Sequence, residues 1–237
     1  QSVSGTVASG LLIRDLSLNA EAFGLQAGET RLVAHFELWP LGIELALLDI
    51  DLLEIEWKPN TYDTNTPLSP GTGLQAPLPV EFGEVVIRQL VVRGTGRPDE
   101  LSPARFTFNG RWDERLVVEY LNLEGTNYHF RLIGATELAS PYHHDLNAQI
   151  GLPKHLAEQL GWAGPNLDLI AVGDAELTEL RIHQPEGHLD LSGQLSHWLT
   201  QPGWSVKGSV TDMSIDLDPD AFAPLLIRTQ QLEAWGP

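Results

Sequence analysis

The chain has 237 residues, enough for one large or two modest domains, with 42% apolar residues, 19% charged residues and a net charge of −18. That balance belongs to a folded protein rather than a disordered one, and its acidity argues against binding nucleic acid or an anionic membrane surface, so the charge reads as a solvated, solubilising exterior. There is no cysteine, which excludes disulfides, thiolate nucleophiles and cysteine-based zinc sites and suits a bacterial periplasm.

The dominant hydrophobic period is two, the signature of strands with one apolar and one wet face. Leu11 to Leu18 is the first expected strand. Thr30 to Leu38 follows, with Leu32, Ala34, Phe36 and Leu38 on one face and Arg31, His35 and Glu37 opposite. Ile43 to Leu48 and Asp51 to Trp57 come next; in the second, Leu53, Ile55 and Trp57 oppose Glu54 and Glu56. Residues 58–79 contain five prolines among Thr, Asn, Ser and Gly, and read as a long surface insertion. The strand patterns on its two sides are alike, so a single continuous domain over 1–237 is expected.

Further strands are expected at Val85 to Arg93, Ala104 to Trp112, Leu116 to Leu123, Tyr128 to Leu138 and Asp145 to Leu152. Pro153 to Leu160 is the best helix, with Pro153 at its first position and Gly161 past its end. Leu167 to Val172 and Ala175 to Ile182 return to strand. Leu189, Leu191 and Leu195 then alternate with Asp190, Ser192 and Gln194. Val206 to Asp212 is followed by Met213, Ile215 and Leu217 alternating with Ser214 and Asp216. A second short turn is expected from Asp218, with Pro219 at its first position and Phe222 inward. Short turns and the lack of long helices favour antiparallel meanders over a parallel βαβ sheet.

An apolar-x-Gly-x-apolar-or-small unit recurs around Gly110, Gly134, Gly193 and Gly208. Glycine inside a good strand weakens it and marks a bend or a close backbone approach. The four sites imply either a sheet curled into an apolar trough or separate bulges in a β-sandwich.

Catalytic and metal chemistry find little support. His143 and His144 precede Asp145, but adjacent strand residues point to opposite faces, so a surface loop is expected rather than a chelate. Asp216, Asp218 and Asp220 alternate as in a calcium loop, yet Ala221 stands where glycine is required and Ile227 where glutamate is required. No Gly-x-Ser-x-Gly or phosphate-binding loop is present. Glu54 and Glu56 read as solvated charges. Trp39, before Pro40, and Trp57, near Pro59, read as seals at strand ends rather than sugar platforms. The chain is expected to be no enzyme and to need no cofactor or metal.

Three segments resemble the N-terminal periplasmic part of the TamB family, the inner-membrane subunit of the translocation and assembly module. Ser4 to Leu16 (SGTVASGLLIRDL) looks like the family's G-x-L-x-x-G-L-x-I-x-x-L segment. Leu48 to Trp57 (LDIDLLEIEW) is similar to the strand run after it. Trp204 to Val210 with Ile215 to Pro219 resembles a W-x-V-x-G-x-V … I-x-L-x-P unit. The resemblance implies an AsmA-like, bridge-like lipid transfer fold: an elongated, U-shaped β-groove with an apolar floor. It implies anchoring to the inner membrane by a segment outside this chain, and a TamA-like outer-membrane barrel partner bound through a region also outside it. The implied cargo is phospholipid acyl chains, an outer-membrane barrel protein in assembly, or both.

No run approaches the ~18 apolar residues of a membrane helix. Gln1-Ser2-Val3-Ser4-Gly5 is no signal peptide, so the chain reads as a segment that begins inside a longer protein. Two architectures follow. In a groove, Leu32, Ala34, Phe36, Leu38, Ile55, Leu189, Leu191, Leu195, Met213, Ile215 and Leu217 line an open trough. In a β-sandwich module for glycan or protein partners, the same residues pack against a second sheet. A groove segment would also leave terminal strands unpaired and prone to edge-to-edge association.

Overall fold

The computed structural model describes residues 2–19, 23–39, 41–57, 78–94, 104–159, 164–185, 189–199, 202–215 and 225–236. The chain divides into two compact units, Gln1–Thr126 and Asn127–Pro237. Unit one holds β1 (Ser2–Thr6), β2 (Gly10–Asn19), β3 (Phe23–Leu38), β4 (Leu41–Trp57), β5 (Val80–Gly94), β6 (Ala104–Trp112) and β7 (Arg115–Gly125). Unit two holds β8 (His129–Glu137), β9 (His144–Gly151), α1 (Lys154–Gln159), β10 (Asn166–Gly173), β11 (Leu177–His183), β12 (Leu189–Ser196), β13 (Gly203–Ile215) and β14 (Leu225–Gly236). The fold is all-β. In each unit strand order follows chain order, and the first and last strands do not pair with each other. Each unit is thus an open sheet. Among the described residues, strands approach closely only their ladder neighbours.

The strands are longer than their sequence patterns. Ile43 to Leu48 and Asp51 to Trp57 are one strand, β4, and Val206 onward runs through Ile215 as β13. The helix forms where Pro153 begins it: the Pro153 carbonyl accepts the N–H groups of Leu156 (3.0 Å) and Ala157 (3.1 Å). Ala157 is the residue it buries. The turn expected from Asp218 lies outside the described residues, as do residues 58–77.

One pairing corrects the antiparallel expectation. β4 and β5 are parallel, in register from Ile43 opposite Val80 to Trp57 opposite Gly94. Alternation identifies the faces of a strand but not its direction. Residues 58–79 lead from the end of β4 to a strand that starts beside the beginning of β4, where the Ile43 N–H donates to the Pro79 carbonyl at 2.9 Å. Parallel neighbours need a crossover of about a dozen residues or more, so the proline-rich segment is a required connection.

The core of unit one rests on a coordinated slip in strand phase. Along β4 the inward residues are Ile43, Leu45, Leu48, Ile50, Leu53 and Ile55; along β5 they are Val80, Phe82, Val85, Ile87, Leu90 and Val92. In both, the interval changes from two to three at the same two levels. The register between the strands is kept, and only Ala46 opposite Gly83 and Asp51 opposite Arg88 fall out of the ladder. On β3, Ala27 pairs Leu53 and Thr30 pairs Ile50, the same slip. On β2 it falls at Asp15, whose φ is 57°. The result is one packed cluster: Ala27, Ile50, Leu53 and Ile87 are buried, with Leu25, Leu48, Ile55, Leu90 and Phe106 against them.

Each slip leaves backbone groups that a side chain answers. Asp51 Oδ1 accepts the N–H groups of Glu29 (2.8 Å) and Leu52 (2.6 Å). At the other level the Asn109 amide donates to the Gly83 carbonyl. Gly28 makes room for the first: a Cβ there would lie 2.6 Å from Asp51 Oδ1.

Unit two contains only antiparallel pairs among its strands. One cross-strand row runs Gly134, Leu146, Ala171, Leu180, Gly193, Val206, Ala234. The neighbouring row runs Leu132, Ala148, Leu169, Ile182, Leu191, Gly208. Gly134 and Gly193 therefore share a line and Gly208 sits one row away, while Gly110 lies in β6 of unit one. These four and Gly173 have one geometry in common. A Cβ on any of them would strike the carbonyl oxygen just before its cross-strand partner: Val117 O at 2.2 Å, Asp145 O at 2.1 Å, Ser205 O at 2.7 Å, Asp190 O at 2.1 Å and, for Gly173, Leu177 O at 2.1 Å. Glycine here lets a strand close onto its neighbour more tightly than any side chain allows.

Candidate functional site

The ladder registers sort the expected lining residues onto faces. In unit one, Leu32 pairs Leu11 and Leu48, and Ile55 pairs Leu25, all on the face of the packed cluster. Ala34 is buried. Phe36 pairs Ile43, and Leu38 pairs Leu41, at the turn end of the β3–β4 hairpin. In unit two, Leu189 pairs Val210, Leu191 pairs Ile182 and Leu195 pairs Trp204, again one face. The backbones of Met213 and Ile215 belong to β13, but their side chains, like Leu217, lie outside the described residues. Among the described residues, each unit thus gathers its expected lining residues on one face.

The opposite faces are charged. In unit one they carry the ion pairs Arg14–Glu29 (3.1 Å), Arg88–Asp49 (2.6 Å) and Arg93–Glu54 (3.2 Å). The bidentate Arg88 guanidinium holds the Asp49 carboxyl below the usual carboxylate range.

The apolar faces are covered unevenly: in unit one Ile50, Leu53 and Ile87 are buried. Leu32, Ile55, Leu189, Leu191 and Leu195 are all half-buried. Among the described residues, the one large side chain sealed from solvent is polar: Gln184, whose amide donates to the Gly164 carbonyl at 3.0 Å. A concavity of about 630 Å³ in unit two lies on the opposite face, where Arg181, Ser192, Gln194 and Lys207 meet the exposed Ile170, Val172 and Trp235.

Two expectations are corrected. Trp39 does not seal a strand end; it is 95% exposed. His144 is not in a loop; it opens β9, half-buried, with Nδ1 3.0 Å from the Tyr142 carbonyl and Nε2 3.1 Å from Thr178 Oγ1. His143 turns instead toward Asp174, 3.7 Å away. Asp174 accepts the N–H groups of Leu177 and Glu176, which hold its carboxyl below its usual range and close the β10–β11 turn. Among the described residues no three His, Cys, Asp or Glu side chains gather as a metal site. No helix among them is long and apolar enough to cross a membrane.

What sequence reading missed is the phase slip. Its trace is visible as the doublets Leu47-Leu48 and Leu52-Leu53, which interrupt the alternation of β4 at the two levels where the ladder skips. The chain matches no family model, no curated protein and no solved structure.

Proposed function

We propose that this chain is a periplasmic segment of a TamB-like carrier, held at the inner membrane by a segment outside this chain, whose apolar sheet faces shelter phospholipid acyl chains, or the apolar strands of a barrel protein, between the two membranes. The supporting observation is an apolar face running across the ladders of each unit, on which Leu32, Ile55, Leu189, Leu191 and Leu195 stay half-buried beside the buried cluster of unit one. An acyl chain laid on it would remove further apolar surface from water, at about 25 cal/mol per Å². Such a face discriminates little between acyl chains, because dispersion and burial are not directional. The charged opposite faces keep the chain soluble.

The test is native mass spectrometry of the purified chain, with organic extraction of what co-purifies. The expected result is phospholipid near one-to-one that exchanges with added lipid. Leu32→Glu and Leu191→Glu should each lower retained lipid by about tenfold, which corresponds to ~1.4 kcal/mol. A lipid-free mass in a protein that also excludes hydrophobic dye would overturn the reading. A second reading, glycan binding, is favoured by the mixed polar and apolar concavity beside Trp235, which is 75% exposed. It expects saturable saccharide binding that Trp235→Ala abolishes.

A further inference from the structure

The β3–β4 hairpin carries an unusual tip. Leu38 pairs Leu41, leaving only Trp39 and Pro40 between the strands. Hairpin tips are ordinarily glycine, asparagine and aspartate. Here residues 36–43 read Phe-Glu-Leu-Trp-Pro-Leu-Gly-Ile, with one charged residue in a chain of net charge −18. The ladder places Phe36, Leu38, Leu41 and Ile43 on one face, and Glu37 with His35 and Glu44 on the other. Exposure climbs along that face, from 9% at Ala34 to 72% at Phe36 and 84% at Leu38, and reaches 95% at Trp39. Leu41 is exposed as well.

We infer that this tip inserts into the interface of a neutral phospholipid bilayer. Tryptophan prefers the headgroup level, where one side of its ring is wet and the other dry, while Phe and Leu reach the acyl boundary. A charge-poor tip on an acidic chain fits a zwitterionic surface rather than an anionic one. The tip is also continuous with the candidate cargo face: the inward side of β3 runs Leu25, Ala27, Thr30, Leu32, Ala34, Phe36, Leu38. A lipid leaving the bilayer at Trp39 would meet apolar side chains from its first contact. In that respect the inference rests on the lipid-carrying reading, and it adds where lipid enters.

The test is flotation of the full chain with phosphatidylcholine vesicles, beside Trp39→Glu and Leu38→Glu. Both substitutions fall on exposed side chains, and circular dichroism checks the fold. The wild type should float, and each variant should bind about tenfold more weakly, a difference of ~1.4 kcal/mol. Vesicles carrying brominated acyl chains should quench wild-type tryptophan fluorescence more than that of Trp39→Phe. Wild-type protein that stays unbound, or variants that float equally well, would overturn the inference. So would a wild-type dimer that Trp39→Glu converts to monomer without any vesicle binding, since the tip would then be a contact between copies. Native mass spectrometry of the same samples separates the two proposals: lipid retained by a chain that ignores vesicles sinks only the entry site, whereas vesicle binding by a chain that never carries lipid sinks only the carrier.

Discussion

The two units keep one face apolar by different means. Unit one has strands of 15 to 17 residues in β3, β4 and β5. A twisting strand of that length is held to its face by shifting phase, and at one level unit one shifts four adjacent strands, β2 to β5, together. Side chains, Asp51 and Asn109, then satisfy the backbone that the slip exposes. Unit two has strands of 7 to 9 residues from β8 to β12 and adapts mainly with glycine packed against a neighbouring carbonyl, a device that unit one also uses at Gly110. A bulge spreads its strain over a side-chain hydrogen bond, whereas a glycine contact has no give. Substitutions at the two kinds of site should therefore differ sharply in cost.

The largest effect is expected at Gly134 and Gly208. A Cβ on either would sit 2.1 Å from a backbone oxygen, and Gly134 also has φ of 137°. Gly134→Val or Gly208→Val should cost at least ~3 kcal/mol, enough to unfold a marginal unit. Gly193→Ala, with its obstruction at 2.7 Å, should cost less. Urea unfolding monitored by circular dichroism ranks them. Equal, small losses at all three would mean the strands relax apart, and the contrast with unit one would fail.

Much of this was legible in the residues. Ala104 to Trp112 matches β6 end to end because its phase never slips: Phe106 and Phe108 face Ile87 and Val85 without interruption. β4 was read as two strands because Leu47-Leu48 and Leu52-Leu53 break a strict period of two, and a break from a bulge looks like a break from a turn. The parallel pairing was hidden, since Val80 to Val92 would alternate identically in either direction. β1 offered only Val3 among small polar residues, all exposed, and β14 runs through Thr229, Gln230 and Gln231, where no alternation marks a strand. The faces that carry Leu32, Ile55, Leu189 and Leu191 were legible because face assignment needs only local phase. The exposure of Trp39 was not, since a strand-end tryptophan reads the same whether it caps a core or leaves it.

A middle-sized effect tests the other half of the comparison. Asp51→Ala removes the acceptor for two backbone N–H groups in unit one. The expected cost is about 1–2 kcal/mol, because solvent can reach part of that backbone and replace some of what is lost. Asp51→Asn keeps an acceptor oxygen and should recover most of it. Amide hydrogen exchange at Glu29 and Leu52 should quicken in Asp51→Ala while unit two is unchanged. Loss confined to the alanine variant would place the energy in the hydrogen bonds, whereas equal loss in both would place it in the charge beside Arg88.

The smallest effect is the ion pair on the wet face of unit one. Arg88 grips Asp49 with two hydrogen bonds, 3.0 and 2.6 Å, yet the arginine is largely exposed. Exposed pairs contribute little and weaken with salt, so Arg88→Ala should lower stability only slightly. The folded Asp49 carboxyl titrates below its ordinary value. Its contribution is therefore complete above the unfolded carboxylate pKa of about 3.9 and fades as pH falls through the lower, folded value. The gap between wild type and Arg88→Ala in urea midpoint should be open near neutral pH at low salt, and should close on acidification or in molar salt. Asp174 supplies an internal control, because its carboxyl is held down mainly by backbone N–H groups in unit two. Acid should still weaken Arg88→Ala through that site. A gap that survives both acid and salt would mean that Arg88 stabilises through its aliphatic stem lying on the sheet rather than through its charge.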